Sequence, residues 1–77
     1  MNKTLAIFHQ LVASNQVNPN DYYSIRFNKG EVVLQGKINS EVLRSTTKIG
    51  GEVEVSSEGY VHRIVDIEEV SVRVTLT

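Results

Sequence analysis

The chain has no cysteine and no tryptophan, a single proline and no long hydrophobic run. Each absence removes a class of function. Without cysteine there can be no disulfide framework, no thiolate metal site and no cysteine nucleophile. The longest apolar runs, Leu5 to Phe8 and Val32 to Leu34, are too short to span a bilayer, so no membrane partner is expected. Met1-Asn2-Lys3 leads straight into an amphipathic pattern, so a secretory signal is not expected. With zero cysteine, this favours a reducing cytoplasm. Charge of one sign is lacking too. The 8 Lys and Arg face 9 Asp and Glu, a formal charge of −1, which does not suit a protein that coats nucleic acid electrostatically.

What is present describes one small compact domain over residues 1–77. Hydrophobic residues make up 40% and charged residues 22%, an ordinary balance for a globular chain. A domain this small buries only about 60% of the surface its unfolded chain exposes. With no disulfide to compensate, good packing or homo-oligomerisation is the remaining route to stability.

Periodicity sets the elements. From Lys3 to Ser14, helical spacing gathers Leu5, Ile7, Phe8, Leu11 and Val12 on one arc, with Asn2 placed to cap the helix. Asn18-Pro19-Asn20-Asp21 is turn chemistry: Asn18 can cap, and Pro19 suits the first position of a short helical turn. Tyr23, Ile25 and Phe27 then alternate with Tyr22, Ser24, Arg26 and Asn28, predicting a strand with the first set inward. Asn28-Lys29-Gly30 turns the chain into a second strand, Glu31 to Lys37. There Val32 and Leu34 point inward, Val33 points outward or packs under something, and Gly36 marks a bulge or a close backbone approach.

A second helix is expected from Ser40 to Lys48, capped by Asn39 or Ser40 and stopped by Gly50-Gly51. Three strands follow: Glu52 to Ser56, Tyr60 to Glu68, and Val70 to Leu76. The middle one has mixed parity, because Val61, Val65 and Ile67 share theirs with Arg63 while Ile64 does not. A bulge near His62 to Ile64 would reconcile them. The order α-ββ-α-βββ implies an α+β fold. Its expected form is an antiparallel sheet of four or five strands with one or two helices on one face. The core should set Ile7, Phe8, Leu11 and Val12 against Tyr23, Ile25, Val32, Leu34, Val72 and Val74. A fully buried Phe8 would cost roughly 3–5 kcal/mol on truncation to Ala.

Little here builds chemistry. His9 and His62 are the two imidazoles, and they lie on different elements with no metal-ligand spacing, so no metal or cofactor is expected. His62 and Asp66 share a strand face, but no serine is indicated beside them and no nucleophile motif occurs. Glu52 and Glu54 point to one face about 7 Å apart. Alternating Glu and Val is also the ordinary look of a half-exposed strand that resists edge pairing. No catalytic residue is assigned. Tyr22, Arg26 and Lys29 form a small aromatic and basic group that could stack a base and hold a phosphate. They are the candidates for a single-stranded nucleic-acid or nucleotide site.

Charge is unevenly spread. Residues 1–38 carry four cations against two anions, whereas residues 39–77 carry four against seven. Within residues 52–69, Glu52, Glu54, Glu58, Asp66, Glu68 and Glu69 face only Arg63. An acidic surface of this kind attracts a basic protein surface, including one that normally holds nucleic acid.

At Asp21-Tyr22-Tyr23-Ser24-Ile25, Leu34-Gln35-Gly36-Lys37 and Ser40-Glu41, the chain resembles small uncharacterised proteins of bacteriophages and related mobile elements. The likeness covers about residues 15–45 and the closing strand, and it carries no functional motif. It implies a bacterial host cytoplasm. It also implies a role in which a small protein binds and blocks a host protein such as a defence nuclease. The expectation is therefore a non-enzymatic protein-binding module acting through the six acidic residues. A nucleic-acid binder and a structural homo-oligomer are the alternatives.

Overall fold

The computed structural model describes residues 3–77, so the cap expected at Asn2 lies outside it. Helix α1 spans Lys3–Ala13 and a 3-10 turn spans Pro19–Asp21. The hairpin β1 (Ser24–Asn28) and β2 (Glu31–Gly36) leads to α2 (Ser40–Thr46). Strands β3 (Glu52–Val55), β4 (Val61–Ile67) and β5 (Val70–Leu76) follow. The element order is the one that periodicity implies.

All five strands form one sheet in the order β1-β2-β5-β4-β3. It is mixed: β2 and β5 run parallel, and the other neighbours are antiparallel. An all-antiparallel sheet is thereby corrected. Helix α2 carries the chain from β2 to the far edge, the β3-β4-β5 meander returns, and β5 ends beside β2. Strand β5 has the most regular alternation in the chain, with Val70, Val72, Val74 and Leu76 all at most 1% exposed. The Val32-Val33-Leu34 run marks β2 as the other central strand. Val33 is 6% exposed although it points away from the helices, flanked in register by Arg26 and Arg73.

The core lies between this sheet and the two helices. Ile7 and Leu11 of α1, Val42 of α2, and Val17 and Ile49 of the connections pack on Val32, Leu34 and the β5 valines. Phe8 and Val12 are only partly buried and Leu5 is exposed, so the buried stripe of α1 is narrower than the apolar arc suggests. Phe8 meets Phe27 edge to face at 5.2 Å between ring centres.

The helix ends follow local chemistry. Asn15 takes φ 61°, and the amides of Gln16 and Val17 return to the Leu11 carbonyl, a left-handed stop for α1. Asn39 caps α2, its side-chain oxygen accepting from Val42 N at 2.9 Å. Helix α2 ends at Thr46, not Lys48. The Thr46 and Thr47 hydroxyls donate back to the carbonyls of Leu43 and Arg44, and the last turn tightens to three-residue hydrogen bonds.

Three strand expectations need revision. Tyr22 caps the 3-10 turn two residues before the strand register begins, so strand parity does not govern it. It is buried, while Tyr23 is 61% exposed and rests its hydroxyl against Thr77 Oγ1. Gly36 accounts for the burial. A β-carbon there would sit 2.8 Å from the Asp21 carbonyl oxygen and 3.2 Å from the Tyr22 ring, so only glycine allows this close approach. Finally, β4 contains no bulge. Its register runs unbroken from Val61 opposite Leu76 to Ile67 opposite Val70, which leaves Arg63 on the helix side and Ile64 on the other.

Two stability outcomes follow. Ile7→Ala should cost about 2–5 kcal/mol in urea denaturation, whereas the half-buried Phe8→Ala should cost only about 1–3 kcal/mol. The β4–β5 turn places Glu68 and Glu69 at φ 48° and 72°, a two-residue left-handed turn made without glycine. Replacing the pair by Asn-Gly should raise the unfolding free energy by about 1 kcal/mol with an unchanged denaturant slope. An unchanged midpoint would show that the turn carries no strain. The exposed 4.0 Å contact from Lys3 to Glu69 adds little in compensation.

Candidate functional site

Because both helices lie on one side, the opposite side of the sheet is left open. Strand parity decides what that open face carries. Strand β1 contributes Ser24, Arg26 and Asn28, β2 contributes Glu31, Val33 and Gln35, and β5 contributes Ser71, Arg73 and Thr75. Strand β4 contributes His62, Ile64 and Asp66, and β3 contributes Glu52 and Glu54. One register row reads Arg26, Val33, Arg73, Ile64, Glu52 across the five strands. The face therefore runs from basic at β1 to acidic at β3, with two aliphatic side chains within it.

The acidic end forms a shallow concavity of about 440 Å³, lined by Glu52, Glu54, His62, Ile64 and Asp66 together with Gly51 and Val65. Ile64 is 38% exposed at its floor. His62 Nδ1 lies 3.2 Å from Thr75 Oγ1, and its ring meets Tyr60 edge to face. His9 sits on α1, on the other side of the sheet, so the two imidazoles are not brought together. Among the described residues, no group of three or more His, Asp or Glu is arranged to hold a metal ion. No described helix is long and apolar enough to cross a membrane.

The six acidic candidates divide by place. Glu52, Glu54 and Asp66 share the open-face concavity. Glu58 stands in the exposed turn between β3 and β4. Glu68 and Glu69 occupy the turn at the opposite end of β4. One continuous acidic segment in sequence thus becomes three separate positions in space. Ile64 and His62 complete the concavity. The odd parity of Ile64 was their signal in the sequence, since an unbroken β4 requires that residue to face outward.

The nucleic-acid candidates do not assemble. Arg26 is exposed on the open face and Lys29 is exposed in the β1–β2 turn. Tyr22, however, belongs to the core cluster on the helix side, so it cannot stack a base beside them. Burial, reinforced by the Asp21 carboxylate, pushes the Tyr22 phenol up to about 12, with Arg63 acting in the opposite direction.

Among the described strand residues, Arg63 is the one cation whose side chain lies on the helix side of the sheet, set between Val53 and Val74 in register. Its guanidinium donates to the carbonyl of Gly50 at 3.2 Å and reaches that of Gly51 at 3.5 Å. Arg63 thus answers carbonyls of the connection from α2 to β3, which is no anion cradle, while the last carbonyls of α2 itself are met by the residues that follow them. Gly51 also allows the chain to enter β3. A β-carbon there would collide with the Ile64 carbonyl oxygen.

No family model, curated protein or solved structure matches this chain.

The Tyr22 environment yields a pH dependence. The unfolded chain releases a tyrosine proton near pH 10, while the folded chain holds the Tyr22 proton to about pH 12. The stability from the neutral buried phenol is complete below pH 10 and is lost as pH rises toward 12. Because the phenol is partly solvated, the loss attributable to Tyr22 should reach only about 1–2 kcal/mol. Urea denaturation of Tyr22→Phe should lack this component. Equal alkaline losses in the two proteins would contradict the assignment.

Proposed function

We propose that the chain is a non-enzymatic protein-binding domain whose open sheet face receives a basic protein surface. The observation that supports this most is the concavity in which Glu52, Glu54 and Asp66 surround the exposed Ile64. An aliphatic centre with charge at its rim is the usual division of labour at a protein interface. The apolar contact excludes water, and the charges steer the encounter and set its orientation. Neither Glu52, Glu54 nor Asp66 has an ion-pair partner among the described residues, so all three carboxylates are available to a partner.

The resemblance to small phage proteins makes the partner a host protein. A nuclease or other nucleic-acid-binding protein fits best, because its basic cleft is the surface an acidic face complements. In this reading the domain is a stoichiometric blocker that occupies the place of a phosphate backbone. A direct nucleic-acid role has less support, since Tyr22 is buried and Arg26 and Lys29 remain without an aromatic platform.

The test is affinity capture from bacterial host lysate followed by mass spectrometry, with wild type beside a Glu52→Lys, Asp66→Lys double variant. Wild type should retain a basic protein whose capture weakens as salt rises. The double variant should lose it while keeping the wild-type melting temperature, since both positions are exposed. Equal capture by a folded double variant would move the binding surface elsewhere.

A further inference from the structure

The two edges of the sheet match one another. Strand β3 pairs only with β4, and β1 pairs only with β2, so each leaves one side unpaired. The phase of each ladder shows which backbone groups point outward. Ser56 N donates to Tyr60 O at 2.8 Å, which turns the Ser56, Glu54 and Glu52 backbones toward β4 and the Val53 and Val55 backbones outward. In β1, the two-residue turn between Asn28 and Glu31 directs the Asn28, Arg26 and Ser24 backbones toward β2. The backbones of Ile25 and Phe27 therefore face outward.

Side chains agree with this phase. Val53 is 49% exposed and Val55 70% exposed, both on the helix side at the β3 edge, and Phe27 is 40% exposed on the helix side at the β1 edge. On the open face, β3 presents Glu54 and β1 presents Arg26, and neither has an ion-pair partner among the described residues.

We infer that β3 of one copy pairs antiparallel with β1 of a second copy, extending the sheet head to tail. In this register Val53 opposes Phe27 of the second copy, Val55 opposes Ile25, and Glu54 opposes Arg26. Three independent requirements meet in it. Outward backbones face outward backbones, apolar side chains share the helix side, and opposite charges share the open face. Strands β1 and β3 run oppositely within one sheet, since two antiparallel steps and one parallel step separate β1 from β4, and β3 reverses β4. A second copy set beside the first with its helices on the same side therefore presents β1 antiparallel to β3 without being turned over.

Symmetric alternatives lack the charge match. A β3–β3 pairing places Glu54 opposite Glu54 or Glu52, and a fully overlapped β1–β1 pairing places Arg26 opposite Arg26. Like charges directly opposite are destabilising. The interface is heterologous, so association continues beyond a dimer until a ring closes or a filament forms. Glu54 is shared with the open-face reading, whose own test reverses Glu52 and Asp66 and leaves Glu54 in place, so the two can fail separately.

Sedimentation of the full chain over a range of concentrations and salt tests it. Wild type should gain mass with concentration beyond a dimer, and less so at high salt. Arg26→Glu and Glu54→Arg, both at exposed positions, should each weaken association about fivefold while circular dichroism stays unchanged. An equimolar mixture of the two, and the Arg26→Glu, Glu54→Arg double variant, should recover association. A wild type that stays monomeric at its highest soluble concentration would overturn the inference, as would a closed dimer. Failure of the charge swap to restore association would do the same. Capture of a foreign basic protein by a monomeric wild type, lost in Glu54→Arg, would assign the β3 edge to that protein and reject self-association.

Discussion

The parallel contact between β2 and β5 is the constraint on which the rest of the molecule depends. Val32 opposes Val72 and Leu34 opposes Val74 across it, and all four side chains are at most 1% exposed. A chain of this size has one place to concentrate apolar area, and these two strands are that place. Ladder hydrogen bonds continue past the strand ends, from Thr77 N to the Gly36 carbonyl and from Ile38 N to the Thr77 carbonyl. The first and second halves of the chain are thereby joined, so neither hairpin completes its core without the other.

From that contact the asymmetry of the sheet follows. A parallel pair needs a crossover, and here α2 with the β3–β4 hairpin provides it. Both helices end on the side where the crossover passes, and the other side is left to solvent. Sequence distance and spatial grouping then separate. Carboxylates contiguous along residues 52–69 are dispersed to a face and two turns, while Glu54, His62 and Asp66 from two strands converge. An uncovered face and two unpaired edges are also what a domain this small has available for recognition.

Local patterns made much of the fold legible. The helical arc of α1, the Asn18-Pro19 and Asn39 caps and the alternation of β5 are each encoded within a few residues, and each appears in the structure, whereas α2 stops at Thr46, ahead of Gly50-Gly51. Gly36 was legible as a close approach, though not what it approached. The errors cluster where long-range contacts override local parity. Tyr22 and Tyr23 exchanged places because the 3-10 turn, not the strand, orients Tyr22 over Gly36. A bulge in β4 was unnecessary because Arg63 finds its partners in carbonyls twelve and thirteen residues away. An arginine on the core side is tolerated when such acceptors wait for it, and nothing adjacent to Arg63 in sequence announces them.

By itself the sequence determined the element types, their order and which face of most strands is apolar, because hydrophobic period and capping act over neighbouring residues. It also determined that thiol chemistry is impossible, since no cysteine is present. Only the tertiary structure decided that β5 lies parallel to β2, that the acidic segment divides, and that one edge is acidic and the other basic. Those outcomes depend on which strands become neighbours. Strand neighbours are selected by burying Val32, Leu34, Val72 and Val74 together, a contact that spans about forty residues and leaves no mark on local periodicity.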